Sequence, residues 1–364
     1  MRKTAFALML LILLCGCGFK DVDKRHFAVA IGFDKSKHLE GGYNILLKIA
    51  IPQGDPKGGT QQFEVIQEES KSIAEALRRL KSKVDKELDF SHTKAILIGE
   101  GLAKEEISPF IDWASRRRDI QLVGLVAVAM PTAEAVMQVK PKGERIPANA
   151  LFLALGEEGT ESPYIIGTYL FDLERRLSEE GLDPIIPIVE ARKGDLTIEK
   201  AVLLDKTKIV LALTPQETRL YKLLTKNNLK TDFAITQRQG VISMNVERSR
   251  AAYRIVNEPE GKSYLHYQLN LEGDLEEEHN GINKLDRETI QRYTQAFEAE
   301  LNQQVKALLQ KMQQHHLDPV GFGLRYAAHT WSVKNKAEAW KQLYPELDMK
   351  VTSKVKLKET GEVL

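Results

Sequence analysis

The sequence predicts an α+β protein of several domains, with a mixed α/β amino-terminal region and a carboxy-terminal antiparallel sheet that carries one long helix. In the first half, short apolar strand patterns alternate with amphipathic helical segments. In the second half, several short strand patterns follow one another closely, which is typical of antiparallel strands. Near the carboxyl end, a sustained apolar stripe with a spacing of three or four residues predicts a long helix. A chain of 364 residues is long enough for two or three domains.

The amino terminus predicts export followed by attachment to a membrane. Two basic residues precede the ten apolar residues 5–14, a stretch too short to cross a bilayer as a helix but typical of a signal peptide. The motif Leu14-Cys15-Gly16-Cys17 resembles a bacterial lipobox. Cleavage before Cys17 leaves the small Gly16 at the end of the signal peptide, whereas cleavage before Cys15 would leave the bulky Leu14 there.

We therefore expect residues 1–16 to be removed as a signal peptide and residues 17–26 to form a lipid-anchored tether. Cys17 would carry an S-diacylglycerol and an N-acyl chain, which together make a stable anchor. Cys15 and Cys17 are the only cysteines of the sequence, so the mature chain would have no free thiol and no disulfide. The alternatives are an uncleaved anchor, or an ordinary signal peptide with incidental cysteines.

The charge balance argues against a nucleic-acid-binding protein. Lysine and arginine together number 52 and the acidic residues number 51, whereas nucleic-acid binding requires a strong basic excess. Arg116-Arg117-Arg118 is the densest basic cluster, and we interpret it as the solvated end of a helix. After the signal peptide no apolar run approaches 18 residues, and 122–130 is among the longest. The body is therefore expected to be soluble and to lie outside the cytoplasmic membrane.

Residues 27–194 are expected to form an amino-terminal region of one or two subdomains. A capping pattern at Ser72 and Glu75 predicts a helix whose apolar spacing continues to Leu88. The proline-punctuated "PIIPIVEARKGD" is interpreted as the connection to the next domain. The remaining elements, in chain order, are strands in "FAVAIGFDKS" and "YNILLKIAIP", a strand in "KAILIG", a helix in "ISPFIDWASRRR", a strand in "LVGLVAVAM", and helices in "TAEAVMQV" and "TYLFDLERRLSEEG".

Residues 195–364 are expected to form a carboxy-terminal domain. Thr214-Pro215-Gln216-Glu217 combines a capping box with proline at the first helical position, so a helix should run from there to about Lys226. A longer helix should begin near Asp286 and end at Asp318-Pro319. The strand patterns are "LTIEKAVLLDKTKIVLALT", with a turn at 205–207, then "DFAITQR", "VISMNVE", "AAYRIV", "YLHYQLNLEG" and "MKVTSKVKLKETG".

The apolar stripe of the long helix can be buried in two ways. The helix can pack along the sheet of its own domain, or it can form a coiled coil with a partner; we favour the first. The stripe consists of Ile290, Tyr293, Phe297, Leu301, Val305, Leu308 and Met312.

No motif for catalysis, for a metal ion or for a cofactor emerges from the sequence. Gly321-Phe322-Gly323 lacks the third glycine and the preceding strand of a dinucleotide loop, so we interpret it as a tight turn. Adjacent residues rarely converge on one ion, which makes Glu276-Glu277-Glu278-His279 a solvated acidic turn. Ser91-His92 has no assignable acidic partner, and His92 is interpreted as a structural residue. His315 and His316 suit the carboxyl end of a helix, and Asp318 is as readily a turn former.

Several of these stretches together resemble the Ger(x)C family, the lipoprotein C subunits of bacterial spore germinant receptors. The resemblance covers nearly the whole chain. Its specific parts are "SHTKAILIGE" and the long helix followed by "DPVGFG"; it also includes the lipobox, "HFAVAIGFD", "IIPIVE", "KAVLLDKTKIVLALTPQETRLYKLL", Trp331, Trp340 and the terminal "VTSKVKLKETG". One departure is Phe19, because the family often has a tryptophan soon after the lipidated cysteine.

The resemblance implies a lipid-anchored, non-enzymatic receptor subunit without a cofactor, on the outer face of the spore inner membrane. It would assemble with an A-type membrane-spanning subunit and a B-type, transporter-like subunit, and it would be required for germination triggered by nutrients. Whether it binds the nutrient directly stays open. The alternative is an extracytoplasmic solute-binding lipoprotein of a transporter, built from two α/β lobes that close on a ligand. A surface hydrolase is a third interpretation, for which no nucleophile or metal set is recognisable.

Overall fold

The computed structural model describes residues 24–51, 62–140, 153–156, 162–237, 240–256, 262–278, 286–330 and 334–358. Cys17, His279 and Trp331 lie outside these ranges. Within them the chain forms a nine-stranded sheet and a four-stranded sheet. This mixed α/β architecture with one long carboxy-terminal helix confirms the fold class predicted from the sequence.

The first sheet is parallel at its centre and antiparallel at both sides. Its strand order is β3-β2-β1-β5-β6-β7-β8-β9, with β4 beside the start of β1. Strands β1, β5, β6 and β7 run parallel to one another, whereas β2–β3 and β8–β9 are antiparallel additions. The strands are β1 (Arg25–Lys35), β2 (Tyr43–Ile51), β3 (Gln62–Ser70), β4 (Glu87–Asp89), β5 (Ala95–Gly99), β6 (Leu125–Met130), β7 (Ile185–Arg192), β8 (Asp195–Leu204) and β9 (Ile209–Ala212).

Helices cover both faces of the central parallel strands, as such strands require. One core lies between the sheet and α1, α2, α3 and α5, and a smaller core lies under α4 on the opposite face. These helices are α1 (Ile73–Lys81), α2 (Glu100–Ala103), α3 (Ser108–Ser115), α4 (Ala133–Gln138) and α5 (Leu170–Ser178).

Helix α1 is shorter than its apolar pattern predicts. The Ser72 side chain accepts the Glu75 N–H, as the capping pattern implies, but the helix ends at Lys81. Leu88 lies in β4 and pairs with His26 of β1 instead. The prediction of a helix to Leu88 was wrong, because an isolated strand of three residues has no periodicity that distinguishes it from a helix end.

The segment "PIIPIVEARKGD" forms a strand and not a linker. Residues Ile185–Arg192 make β7, which pairs with β6 on one side and with β8 on the other. The predicted boundary between residues 194 and 195 falls at the turn of the β7–β8 hairpin, so both strands of the hairpin belong to the same sheet. The division into domains at this position stays a prediction.

The second sheet joins strands that are far apart in the chain. Strands β10, β11 and β12 are antiparallel, but β13 runs parallel to β12. The predicted antiparallel sheet therefore holds for three strands and not for the fourth, because the chain reaches β13 through helices, and a crossover of this kind returns a strand in parallel. The bounds are β10 (Thr231–Gln237), β11 (Gly240–Val256), β12 (Tyr264–Glu278) and β13 (Asp348–Lys358); "VISMNVE" and "AAYRIV" are both parts of β11.

Four helices accompany this sheet within the described residues: α6 (Pro215–Thr225), α7 (Arg287–Gln314), α8 (Phe322–His329) and α9 (Lys336–Leu343). The capping box that starts α6 is present, since Thr214 Oγ1 accepts the Glu217 N–H and Glu217 Oε2 accepts the Thr214 N–H. Helix α7, which Asp286 caps, packs its apolar stripe into the core of the second sheet. Packing against its own sheet was the favoured prediction for this helix, and it is confirmed.

None of the helices in the described ranges is both long enough and apolar enough to pass through a bilayer.

We expect Phe297→Ala to lower the free energy of unfolding by about 3–5 kcal/mol, because the ring is fully buried and its loss leaves a cavity. Gln310→Ala, at an exposed position of the same helix, should change this free energy by less than about 0.5 kcal/mol. Urea unfolding of both variants measures the difference. Equal stabilities of the two variants would contradict the packing of α7.

Candidate functional site

The junction between the two sheets is organised around the buried side chain of Asp318. Helix α7 ends at Gln314, and the chain reverses at His316, whose φ is 56°. Asp318 follows, with only 2% of its surface exposed. Its Oδ1 accepts the N–H groups of Gly321 and Phe322 at 2.8 and 2.9 Å, and its Oδ2 accepts the N–H of Gly323 at 2.7 Å. The carboxylate thus closes the turn at the start of α8. The predicted tight turn holds for Gly321 and was wrong for Phe322 and Gly323, which are the first two residues of this helix.

Two glycines of this turn are required by its geometry. Gly321 has φ 82°, a left-handed conformation that side chains rarely adopt. At Gly323, an added Cβ would lie 2.5 Å from the indole nitrogen of Trp340 and 2.6 Å from the Cα of Gly181. The turn therefore brings the backbone of "DPVGFG" directly against the chain between α5 and β7.

Asp183 connects this turn to the first sheet through a pair of hydrogen bonds. Its backbone N–H donates to the Asp318 carbonyl at 2.8 Å, and its Oδ2 accepts the Asp318 N–H at 2.6 Å. The Leu324 N–H donates to the Gly181 carbonyl at 3.3 Å. These bonds join residues more than 130 positions apart, just before β7 begins, so they fix how the two halves of the chain meet.

The side chain of Lys206, in the turn between β8 and β9, holds the same junction from the other side. Its ammonium donates to the carbonyls of Arg176 and Glu179, each at 2.6 Å, and to that of Leu182. The Asp183 carboxylate lies 3.5 Å away. Burial lowers the pKa of Lys206, and the neighbouring Asp183 opposes that effect. Lys206 therefore closes the carboxyl end of α5, where a cation also complements the helix dipole.

Arg176 of α5 extends the network across the junction. Its guanidinium pairs with Asp172 at 2.7 Å and donates to the carbonyls of Asp183 and Pro319 at 3.1 and 3.0 Å. The Tyr221 hydroxyl of α6 donates to the same Pro319 carbonyl at 3.0 Å. Arg176 of α5 and Tyr221 of α6 thus donate to the same carbonyl of the turn that follows Asp318.

The environment of Asp318 changes its acidity. Burial raises the pKa of its carboxyl to about 7, the three backbone N–H groups oppose that rise, and the nearby Asp183 adds to it. Asp318 consequently carries a proton up to a much higher pH than an ordinary aspartate does.

A cavity of about 370 Å³ opens beside this carboxyl. Its wall combines acidic, basic, imidazole and aromatic side chains, among them Lys206, His315, His316, Trp340 and Lys341. Such a wall offers both charged and stacking contacts to a small polar ligand or to a side chain of a partner. The cavity opens where the two sheets meet, so a group bound there would contact both halves of the chain.

The sequence identified Asp318, His315 and His316 as candidates but did not connect them with the first half. Asp183, Lys206 and Arg176 were missed. The one local signal was "GLDP" after α5, where an aspartate precedes a proline. Nothing in the sequence indicates that Lys206 donates to carbonyls some 25 residues earlier, because that contact depends on how the β8–β9 turn packs under α5.

The other candidates lie away from this junction and make only local contacts. The Ser91 hydroxyl donates to Asp89 at 2.6 Å, while the exposed His92 ring packs edge-on against Phe27, so the two do not act as nucleophile and base. Arg116 and Arg117 follow α3 and pair with Asp112 and Asp119.

The acidic run at 276–278 ends β12. Within the described ranges no group of three or more histidine, cysteine or acidic side chains is arranged to bind a metal.

Comparison with known families identifies the chain over almost its whole length. Residues 18–191 match the model of the spore germination protein N-terminal domain. Residues 199–361 match the spore germination B3/GerAC-like C-terminal model.

The chain belongs to the Ger(x)C family of spore germination proteins.

Curated relatives and one solved structure agree with this assignment. The Ger(x)C protein is 24% identical to spore germination protein KC of Bacillus subtilis (strain 168) over 399 residues, which cover 99% of this chain and 96% of the relative. It is 21% identical to the putative spore germination protein YfkR of the same organism over 385 residues, covering 99% and 98%. The crystal structure of the GerBC protein matches with a TM-score of 0.61 and 18% identity, covering 90% of this chain and 97% of that one. The resemblance found in the sequence is thereby confirmed, and with it the membership in a family of germinant receptor C subunits.

We expect the pH dependence of stability to reveal the Asp318 proton. The carboxyl releases its proton near its ordinary pKa of 3.8 when unfolded but only near pH 7 when folded, so the folded state binds more protons between these values. Its contribution to stability is complete below pH 4 and is lost as the pH rises to 7. The free energy of unfolding of the wild type minus that of Asp318→Asn should fall over this range by on the order of 4 kcal/mol.

Urea unfolding at each pH unit from 4 to 7 measures this difference. Asp205→Asn is the matched control, because hydrogen bonds from Thr207 and Lys208 lower the pKa of Asp205, even against its partial burial. Its difference from the wild type should stay constant over the same range. A constant difference for Asp318→Asn as well would show that Asp318 titrates normally.

Removing the Lys206 ammonium should destabilise the junction. Lys206→Met leaves the carbonyls of Arg176, Glu179 and Leu182 without this donor, and we expect a loss of about 1–3 kcal/mol in the free energy of unfolding. Lys208→Met, an exposed lysine of the same turn, should change it by less than about 0.5 kcal/mol. Indistinguishable melting temperatures for the two variants would contradict the role assigned to Lys206.

Proposed function

We propose that the protein is a lipid-anchored, non-enzymatic subunit of a spore germinant receptor and is required for germination triggered by nutrients. Cys17 carries the lipid, and the body lies at the outer face of the spore inner membrane. There it contacts the A-type and B-type integral membrane subunits. The observation that carries this proposal is the match of both family models, which together extend from residue 18 to residue 361.

The anchor is supported by the order of the first residues. Cys17 follows an apolar stretch and a small residue, and the first described strand begins at Arg25, eight residues later. A tether of this length keeps the body beside the membrane. It thereby raises the effective concentration of the body near membrane-embedded partners, so that weak contacts suffice for assembly.

The role through protein contacts is supported by what the candidate groups do. Asp318 and Lys206 are used in bonds that hold the backbone, and Ser91 donates to Asp89. The solute-binding alternative would require two α/β lobes joined by hinge strands. The two sheets seen here instead meet at a junction with a shared core, which contains Ile185 and Leu203 of the first sheet and Tyr267 of the second. That arrangement favours the receptor subunit.

The two cysteines allow a test with a matched control. In a strain without a redundant receptor, we expect Cys17→Ala to abolish partition of the protein into the detergent phase and to block the nutrient response. Germination by direct chemical release should remain intact. Cys15→Ala should behave as the wild type in all three measurements, because Cys15 leaves with the signal peptide.

Two outcomes would refute separate parts of this proposal. A Cys17→Ala protein that still partitions wholly into detergent would refute the proposal that Cys17 carries a lipid anchor. Normal nutrient germination after deletion of the whole gene, in the same strain, would refute the proposal that the protein is required for the nutrient response.

A further inference from the structure

One edge of the first sheet combines the entry of the anchored chain with exposed apolar side chains. Strands β1, β5 and β6 are parallel, so their amino-terminal ends lie at the same edge. We call this end of the sheet, where the strands begin, the entry edge; it comprises residues 24–29, 91–94, 116–124 and 168–171.

Hydrogen bonds hold the segments of the entry edge together. The Lys94 N–H donates to the Val29 carbonyl and the Leu125 N–H donates to the Lys94 carbonyl, both at 2.9 Å. Gln121 Nε2 donates to the Ser91 carbonyl at 2.9 Å. The Phe171 N–H, at the start of α5, donates to the Leu122 carbonyl at 3.0 Å. The loop before β6 is therefore fixed two strands away from the point where the chain enters β1.

Apolar side chains of this loop and of the adjacent start of α5 are exposed to solvent. Leu122 is 44% exposed, Val123 is 52% exposed and Phe171 is 47% exposed. The half-buried ring of Tyr169 stacks on Phe171, with 5.6 Å between the ring centroids. Large apolar side chains clustered in this way on a surface mark a contact with another apolar phase or molecule.

Basic residues flank the apolar cluster. Arg116, Arg117 and Arg118 precede it in the same loop. Arg116 pairs with Asp112 and Arg117 with Asp119, which leaves this stretch with an excess of one positive charge. Apolar and aromatic side chains beside arginines are the combination that binds the interface of a bilayer containing anionic lipids.

The length of the chain between Cys17 and β1 indicates that a lipid bilayer covers the apolar cluster. Cys17 and Lys24 are seven residues apart, which span at most about 25 Å even when fully extended. Lipidation of Cys17, on which this inference rests, would therefore hold the entry edge close to the bilayer. The opposite edge, with the hairpin that contains Leu39, lies one strand length of roughly 35 Å further away.

We propose that the entry edge lies in the membrane interface, with Leu122, Val123 and Phe171 inserted among the lipids and Arg116–Arg118 at the anionic headgroups. The anchor then does not merely tether the body. Together with this second contact it fixes the orientation of the body. The entry edge then contacts the membrane, and the strands of the first sheet extend away from it.

Single-thiol probes on the full, lipidated protein test this orientation. The mature wild type would have no free thiol, so Val123→Cys provides one reactive site for an environment-sensitive fluorophore. Phe171→Cys is a second probe on the adjacent segment. Leu39→Cys is the matched control, an exposed leucine at the opposite edge. Ala252→Cys reports the outer face of the second sheet, where basic side chains such as Arg250 and Lys354 are exposed.

Each protein is reconstituted without partners into vesicles containing anionic lipid and, separately, lipid-borne nitroxide quenchers. We expect blue-shifted emission and strong quenching at positions 123 and 171, and an aqueous spectrum without quenching at positions 39 and 252. Aqueous spectra at both 123 and 171 would overturn the inference and leave the patch to a protein partner. Quenching at 252 instead would mean that the second sheet faces the bilayer.

The labelling reaction itself separates this inference from the proposed anchor. If Cys17 carries a thioether-linked lipid, the wild-type protein does not react with a maleimide. A wild type that does react would refute the anchor, whereas an unreactive wild type with aqueous spectra at 123 and 171 would refute the orientation alone.

Discussion

The structure depends on a single buried carboxylate. Asp318 accepts three consecutive backbone N–H groups, from Gly321 to Gly323, and in this way forms the turn that presses "DPVGFG" against the chain at Gly181. A buried carboxylate is costly unless its lone pairs are satisfied. The turn provides those donors, and the exchange of hydrogen bonds with Asp183 places this satisfied unit between the two sheets. The relative position of the two halves therefore follows from the way one buried carboxyl group is hydrogen-bonded by backbone N–H groups.

The groups around the turn act together, because they donate to neighbouring backbone carbonyls of the same junction. Lys206 covers the end of α5, and Arg176 and Tyr221 share the carbonyl of Pro319. A raised pKa at the centre of this network makes the junction sensitive to the loss of one proton. The cavity beside it contacts both halves of the chain. A group bound in the cavity would therefore contact both halves of the chain at this junction.

Long periodic patterns were read correctly from the sequence, as were the short buried strands β5 and β6, but two other strands were not. The stripe from Ile290 to Met312 predicted α7 because seven apolar positions repeat on one face. The capping box at Thr214 predicted the start of α6 from side chains that contact only their own turn. β4 and β7 were misread. The first is three residues long, and the second contains Pro187 and begins with five buried apolar residues, so neither has a local period that excludes the alternative.

The sequence by itself determined the family, the elements with their own caps and stripes, and the position of Cys17, because those signals lie within a few neighbouring residues. Only the tertiary structure decided that β13 runs parallel to β12, that Lys206 donates to the carbonyls at the end of α5, and that Asp183 is hydrogen-bonded to Asp318. It also placed Leu122 and Phe171 together at the edge where the chain enters. Each of these contacts joins segments distant in the chain, and hydrogen-bond donors and acceptors become partners only when the packing of whole sheets brings them within about 3 Å.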